Sequence, residues 1–272
     1  MRQRGTMAFA WAIALVLALV ATVASGGAQA SEWASDCKFE KTIELTLNLS
    51  GSEELGIAAR AGDLKVTGHA DRSEAHILGK VCASNEEWLD ETRVVTEGGS
   101  KAAIAVEIPA MEDGWTFFST RYLYVDLEIE VPTAVALDIQ DSSGDVTLHG
   151  TGPVNLIDSS GDIALEDVNG GVVLKDSSGD IDLRRVVGDV TVRQDSSGDI
   201  YGRDIRGLVL IEHDSSGDIR FEDVQGDYVV ERDSSGDIVA KTVSGAFRVL
   251  NDGSGDVSIT DVSGEVEVPE DS

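Results

Sequence analysis

The five-residue sequence Asp-Ser-Ser-Gly-Asp recurs down the second half of this chain, starting at Asp141, Asp158, Asp176, Asp195, Asp214 and Asp233, and closes as Asp-Gly-Ser-Gly-Asp at Asp252. Successive copies begin 17, 18, 19, 19, 19 and 19 residues apart. A fixed period of this length, with one turn and alternating apolar residues in every copy, is the pattern of a solenoid whose coils stack on one another. The inward columns can be read directly. The residue after the second Asp is always apolar: Val146, Ile163, Ile181, Ile200, Ile219, Ile238 and Val257. Two positions on stand Leu148, Leu165, Leu183, Gly202, Phe221, Ala240 and Ile259, a column of mixed size. A Val or Ile column follows from Val168 to Val262, then a glycine, then a second short strand such as Val190 with Val192 or Tyr228 with Val230.

Strands this short are unstable alone, and stacking supplies what one coil lacks. Burying a Val or Ile is worth roughly 1.5–3 kcal/mol, which across a coil offsets much of the entropy of ordering it. The expected fold is therefore all-β, a right-handed parallel β-helix of about 19 residues per coil. A sandwich or barrel would need antiparallel hairpins, against which the near-identity of every turn argues.

The chain opens with Arg2 and Arg4, an apolar run from Met7 to about Ala24, and small residues ending at Ala28 and Ala30. This reads as a signal peptide over residues 1–30; the alternative is an uncleaved anchor, since about 18 apolar residues just reach the lower limit for crossing a bilayer. No later stretch is apolar enough to span as a helix, so no membrane span is expected after cleavage. Export places Cys37 and Cys82 where disulfides persist. One bridge between them is expected, worth about 4 kcal/mol by loop entropy; free thiols or a metal pair are the alternatives, and no histidine pattern supports zinc. The formal charge of −29 becomes about −31 once the two leader arginines are gone. Such a surface repels nucleic acid and anionic head groups and suits cations or basic protein patches. The 42% hydrophobic residues, placed at regular intervals, argue against disorder.

Residues 31–135 read as an N-terminal, β-rich cap. It holds a strand from Phe39 to Leu49 with Ile43, Leu45, Leu47 and Leu49 on one side and Lys41, Glu44 and Thr46 off it. A degenerate first coil follows at Ala61 to Gly68, separated from the others by an insertion. The insertion carries a short helix from Ser84 to Thr92, capped by Ser84 or Asn85, and strands at Ile104 to Ile108 and Val125 to Val131. Trp115, Phe117 and Phe118 form its most aromatic stretch, either a cover for the open end of the solenoid or a partner contact. Residues 136–272 are the repeats.

In stacked coils the first aspartates (Asp141, Asp158, Asp176, Asp195, Asp214, Asp233, Asp252) form one row and the second aspartates (Asp145, Asp162, Asp180, Asp199, Asp218, Asp237, Asp256) another. Neighbouring carboxylates one strand spacing apart repel by roughly 0.9 kcal/mol even in bulk water. A purely local role offsets this through turn hydrogen bonds and a positive φ at glycine. The functional alternative is a cation-binding face, chiefly for calcium, built from both rows and the serine hydroxyls. The repeats lack the Gly-Gly-x-Gly-x-Asp nonapeptide of calcium-binding solenoids. His69, His76, His149 and His213 are scattered, no Gly-x-Ser-x-Gly elbow is present, and repetition works against two carboxyls in contrasting environments. A non-enzymatic protein is expected, with a polysaccharide-active β-helix enzyme as the weakest alternative.

The segments Ser178 to Val192 and Ser216 to Val230 follow Ser-Ser-Gly-Asp-Ile-x-Leu and then Val-x-Gly-x-Val-x-Val, with substitutions at a few sites. In these repeats the chain resembles a bacterial β-strand-repeat domain of unknown function, a family provisionally labelled adhesins, over roughly residues 40–268. The resemblance implies an exported or membrane-linked envelope protein with a right-handed β-helix and no catalytic residues, and it brings no ligand residues. The resulting expectation is an adhesin-like, scaffold or stress-associated protein of the periplasm rather than the surface. Its partner would be an envelope protein or a glycan.

Overall fold

The computed structural model describes residues 37–109 and 121–269; the proposed leader and Trp115, Phe117 and Phe118 lie outside them. The described chain forms two sheets of eleven strands each, facing one another across a continuous apolar core. Chain direction is parallel throughout the repeats. On one face Ile163, Ile181, Ile200, Ile219, Ile238 and Val257 sit side by side, as do Leu165, Leu183, Gly202, Phe221, Ala240 and Ile259. On the other, Val172, Val190, Val209, Tyr228, Phe247 and Val266 form the matching column. Like side chains stack over like, as expected of a β-solenoid.

One local device lets two residues an odd number apart both point inward. Between Leu165 and Val168, and at the same place in each later coil, one residue adopts left-handed backbone angles: Asp167, Arg185, Asp204, Asp223, Thr242 and Asp261, with φ between 54° and 59°. The reversal bends the strand and turns the following Val or Ile column back into the core, where Val168, Val186, Ile205, Val224 and Val243 are all enclosed. Asp tolerates this conformation through local hydrogen bonding; β-branched Thr242 does not.

The glycine of each Asp-Ser-Ser-Gly-Asp turn is required by close approach as well as by its φ. A Cβ on Gly217 would stand 1.8 Å from the Gly198 carbonyl oxygen, and one on Gly236 would stand 1.7 Å from that of Gly217. Inside the core, Gly202 answers a different demand. A Cβ there would lie 2.0 Å from Cε1 of Phe221, whose ring fills the space that leucine occupies two coils away. Phe221 in turn packs on Tyr228, and Tyr228 on Phe247, at ring-centroid distances of 5.2 and 5.0 Å.

The degenerate coil is present, and its strand Leu64–His69 pairs in register with Val146–His149. It is not the terminal coil. Glu54–Ala61 lies between Ala136–Ser143 and Lys101–Glu107, and Leu64–His69 lies between Val146–His149 and Leu123–Pro132. The insertion thus builds a further coil on the outer side of the degenerate one. Antiparallel strands finish this end: Glu74–Ala83 pairs with Leu123–Pro132, Phe39–Asn48 pairs with Glu74–Ala83, and Arg93–Glu97 pairs with Lys101–Glu107. The Cys37–Cys82 disulfide, with Cα atoms 5.7 Å apart, joins the start of the outermost strand to its neighbour.

Several expectations need correction. Lys41 shares the inward face of its strand, and its Nζ donates to the Thr92 carbonyl at 2.8 Å. The helix is confined to Glu86–Glu91, with the Asn85 side chain accepting from the Trp88 amide. Ile108 falls beyond the end of Lys101–Glu107 and is exposed. In the last repeat, Ile259 and Val266 are 38% and 45% exposed rather than enclosed, because no further coil among the described residues covers them.

Two predictions follow from the packing. Phe221→Ala should cost about 3–5 kcal/mol; Gly202→Leu and Phe221→Leu should each destabilise alone, whereas the two together should lose much less than their sum, as read from urea unfolding in a double-mutant cycle. Thr242→Asn should raise stability by about 1 kcal/mol in the same assay, because Asn enters the left-handed region more readily.

Candidate functional site

The two aspartate rows, only four residues apart in sequence, occupy opposite environments. Each second aspartate uses Oδ1 to accept the backbone N–H of its counterpart one coil on. The chain of bonds runs from Asp126 through Asp63, Asp145, Asp162, Asp180, Asp199, Asp218 and Asp237 to the Asp256 amide, at 2.8–3.1 Å. Each charge is thereby set against an amide dipole, and from Asp145 onward the row lies at the surface, which offsets the repulsion along it; Asp126 is half-buried and burial raises its value. Asp63 and Asp126 belong to this ladder although the repeat motif does not reach them. The signal for Asp63 was the Gly-Asp pair of the degenerate coil; nothing local marks Asp126. The serines are engaged in the same way. The second serine hydroxyl donates to the carbonyl of the first serine in the preceding coil, as from Ser178 to Ser159 and from Ser216 to Ser196, both at 3.2 Å.

The first aspartates point inward. Asp141, Asp158, Asp176, Asp195, Asp214 and Asp233 are 0–5% exposed. Ser159, Ser215 and Ser235 amides donate to one oxygen of Asp158, Asp214 and Asp233. The second oxygen of each of these three, and both oxygens of Asp141, Asp176 and Asp195, are enclosed without a hydrogen-bond partner. Burial, with the neighbouring carboxylates adding to it, pushes Asp141 and Asp214 up to about 7 and Asp176 and Asp195 up to about 6. Asp252, in the last coil, is shifted in the same direction by burial.

A third feature escaped the sequence reading. The left-handed corner forms an open groove of about 630 Å³ past six successive coils, lined by Asp204, Asp223, Asp261, Arg206, Gln225, Thr242, Ser244 and exposed Val187, among others. At one end His149, Glu166 and Asp167 bring ligand atoms within 4.8 Å of one another. Arg185 already occupies that cluster: its Nε donates to Asp167 Oδ1 at 2.6 Å, and its Nη2 to Glu166. The Arg185 hydrogen bond holds the Asp167 carboxyl below its usual value. The remaining histidines do not converge with these groups; His69 lies 3.7 Å from Glu130 in the outer coil.

No family model matches the chain, and no curated protein matches it. Similar solved structures include a provisionally named cell adhesion protein of Clostridium sporogenes, with 14% identity, a TM-score of 0.30 and coverage of 84% of this chain and 99% of the other. A provisionally named lipid binding protein of Parabacteroides distasonis shows 16% identity and a TM-score of 0.38, covering 86% and 98%. A provisionally named adhesin of Bacteroides fragilis shows 14% identity and a TM-score of 0.34, covering 84% and 97%. No helix among the described residues is long and apolar enough to cross a membrane.

The outer ladder makes a direct prediction. Asp218→Ala strands the Asp237 amide and should lower stability by about 1–2 kcal/mol, while Asp218→Asn, which keeps an acceptor oxygen, should lose less. Thermal melts of the two variants at one ionic strength check it.

Proposed function

We propose that this chain is an exported, non-enzymatic binding protein of adhesin type, and that the groove along its left-handed corner holds an extended, uncharged envelope glycan. The observation that carries this reading is the shape and lining of the groove. It is open and many coils long, so it suits a polymer lying along the solenoid axis better than a small molecule, which needs an enclosing pocket. Its walls set hydrogen-bonding side chains around one exposed valine, and four aspartates against two arginines, with Arg185 bound to Asp167, make the lining mildly acidic. The net charge of about −31 without the leader arginines disfavours acidic polymers. The carboxyls raised to about 6 or 7 are enclosed at 0–5% exposure, out of hydrogen-bond reach of a bound substrate, which supports binding over catalysis. Export is supported by the leader-like first 30 residues and the Cys37–Cys82 disulfide.

The test is an immobilised panel of envelope glycans probed with wild-type protein, with Gln225→Trp, which fills the middle of the groove, and with Glu231→Trp as a surface control. A neutral glycan should be retained, with affinity lowered about tenfold or more by Gln225→Trp (about 1.4 kcal/mol) and unchanged by Glu231→Trp. Equal binding by wild type and Gln225→Trp would remove the groove from the function. Loss of binding only on joint replacement of Trp115, Phe117 and Phe118 would move the contact to that aromatic stretch.

A further inference from the structure

The interior aspartates present an imbalance that the fold does not correct. Six carboxyl groups lie one above another at 0–5% exposure, and nine of their twelve oxygens make no well-formed hydrogen bond, the turn amides beside them, such as those of Ser142, Ser177 and Ser196, only partly offsetting their burial. A buried charge without a partner is among the most costly features a core can carry. The ionisable groups that act on the column are themselves acids: Asp63 on Asp141, Asp145 on Asp158, Asp162 on Asp176, Asp180 on Asp195, and Asp252 on Asp233, besides the members acting on each other. Tyr228 contributes a neutral, fully enclosed hydroxyl that feels the Asp233 charge. His213 precedes Asp214 in the chain, and its Nδ1 is enclosed without a partner. No lysine or arginine among the described residues is paired with the column.

The Asp214 and Asp233 carboxyl groups, on successive coils, act directly on each other, and each keeps one enclosed oxygen without a partner. Two adjoining carboxyl groups can satisfy one another only when one of them carries a proton, which becomes the donor that the other lacks. The same arrangement can be repeated from coil to coil, because each carboxyl sits one strand spacing from the next.

We propose that the interior aspartate column is a proton-binding site: a line of carboxyl groups that take up protons from solvent on folding, share them between adjacent coils, and so tighten the solenoid as the medium becomes acidic. The raised values of Asp141, Asp176, Asp195 and Asp214 agree with this and fix the sign. A group whose folded value lies above its unfolded value adds stability below the unfolded value and loses that stability as pH rises through the folded one. The losing window runs from about pH 4, the unfolded value, to about pH 7, and its part above pH 5 lies clear of the solvent-facing carboxylates. The comparison keeps all four histidines.

The experiment measures the melting temperature of the whole protein at about pH 5 and about pH 8 at constant ionic strength, for wild type and for Asp176→Asn/Asp195→Asn/Asp214→Asn. Asn keeps the shape of a protonated Asp and supplies its own donor. Wild type should melt on the order of 10 °C higher at the acidic pH. The triple variant, which retains every histidine, should lose most of that difference by melting higher at the alkaline pH. Direct titration should show net proton release when wild type is unfolded near neutrality. Should the triple variant fail to fold, Asp195→Asn alone and the proton count on wild type decide the matter. A wild-type melting temperature that is flat or falls on acidification, or a pH slope unchanged in the Asn variants, would overturn the proposal. So would a rise at about pH 8 with calcium chloride, beyond that of sodium chloride at matched ionic strength and absent from the Asn variants, because a metal would then be doing what the protons are proposed to do.

Discussion

Axial registration between coils is the constraint on which the rest of this molecule depends. Each coil meets the next through parallel backbone pairing, and the same vector that carries Ile181 onto Ile200 carries every turn onto its successor. At the turn the approach is so close that the Gly198 carbonyl occupies the place where a side chain on Gly217 would begin. The second aspartate of the motif reinforces the spacing by bonding to the amide of its own counterpart one coil on. Backbone, glycine and carboxylate thus specify one translation, and the apolar columns are buried as a result of it.

Registration also explains why one motif yields two kinds of carboxyl. A turn that reverses the chain must set one flank toward the core and the other toward water. In Asp214-Ser-Ser-Gly-Asp218 the first residue falls on the inner flank at 0% exposure, and the last falls on the outer, where an amide and solvent stabilise its charge. Repetition multiplies both outcomes. Outside, it gives a surface whose groups recur at one interval, suited to holding a polymer. Inside, it places like charges in a line that only protons or cations can neutralise.

Much of this architecture was legible because the repeats are nearly uniform. The columns headed by Ile163 and Leu165 could be named from spacing alone, and even the odd member, Gly202 beside Phe221, stood out as a change of size. The two aspartate rows were legible as rows. Which of them faced inward was not, because turn residues lack the alternation that assigns a strand residue to a face. The left-handed corner was hidden for a related reason. Asp167, Arg185 and Thr242 share a backbone conformation and little side-chain chemistry, so no column of like residues marks the groove. The insertion was read least well. Lys41 has the look of a solvent residue, but its long side chain reaches a carbonyl from the inner face, and the strand Glu74–Ala83 gave no repeat to compare it with.

The position of the degenerate coil sets the direction in which the molecule can be assembled. Strands Glu54–Ala61 and Leu64–His69 are made before Lys101–Glu107 and Leu123–Pro132, and these before the regular repeats begin at 136, yet in space the earliest of the three lies in the middle. As the nascent chain lengthens, strands Lys101–Glu107 and Leu123–Pro132 are the first able to dock on that coil, and with the antiparallel strands behind them they close one side as a template. Only the opposite edge then remains open to the later repeats. Propagation is thereby made one-way, each new coil adding to the last and none to the capped end.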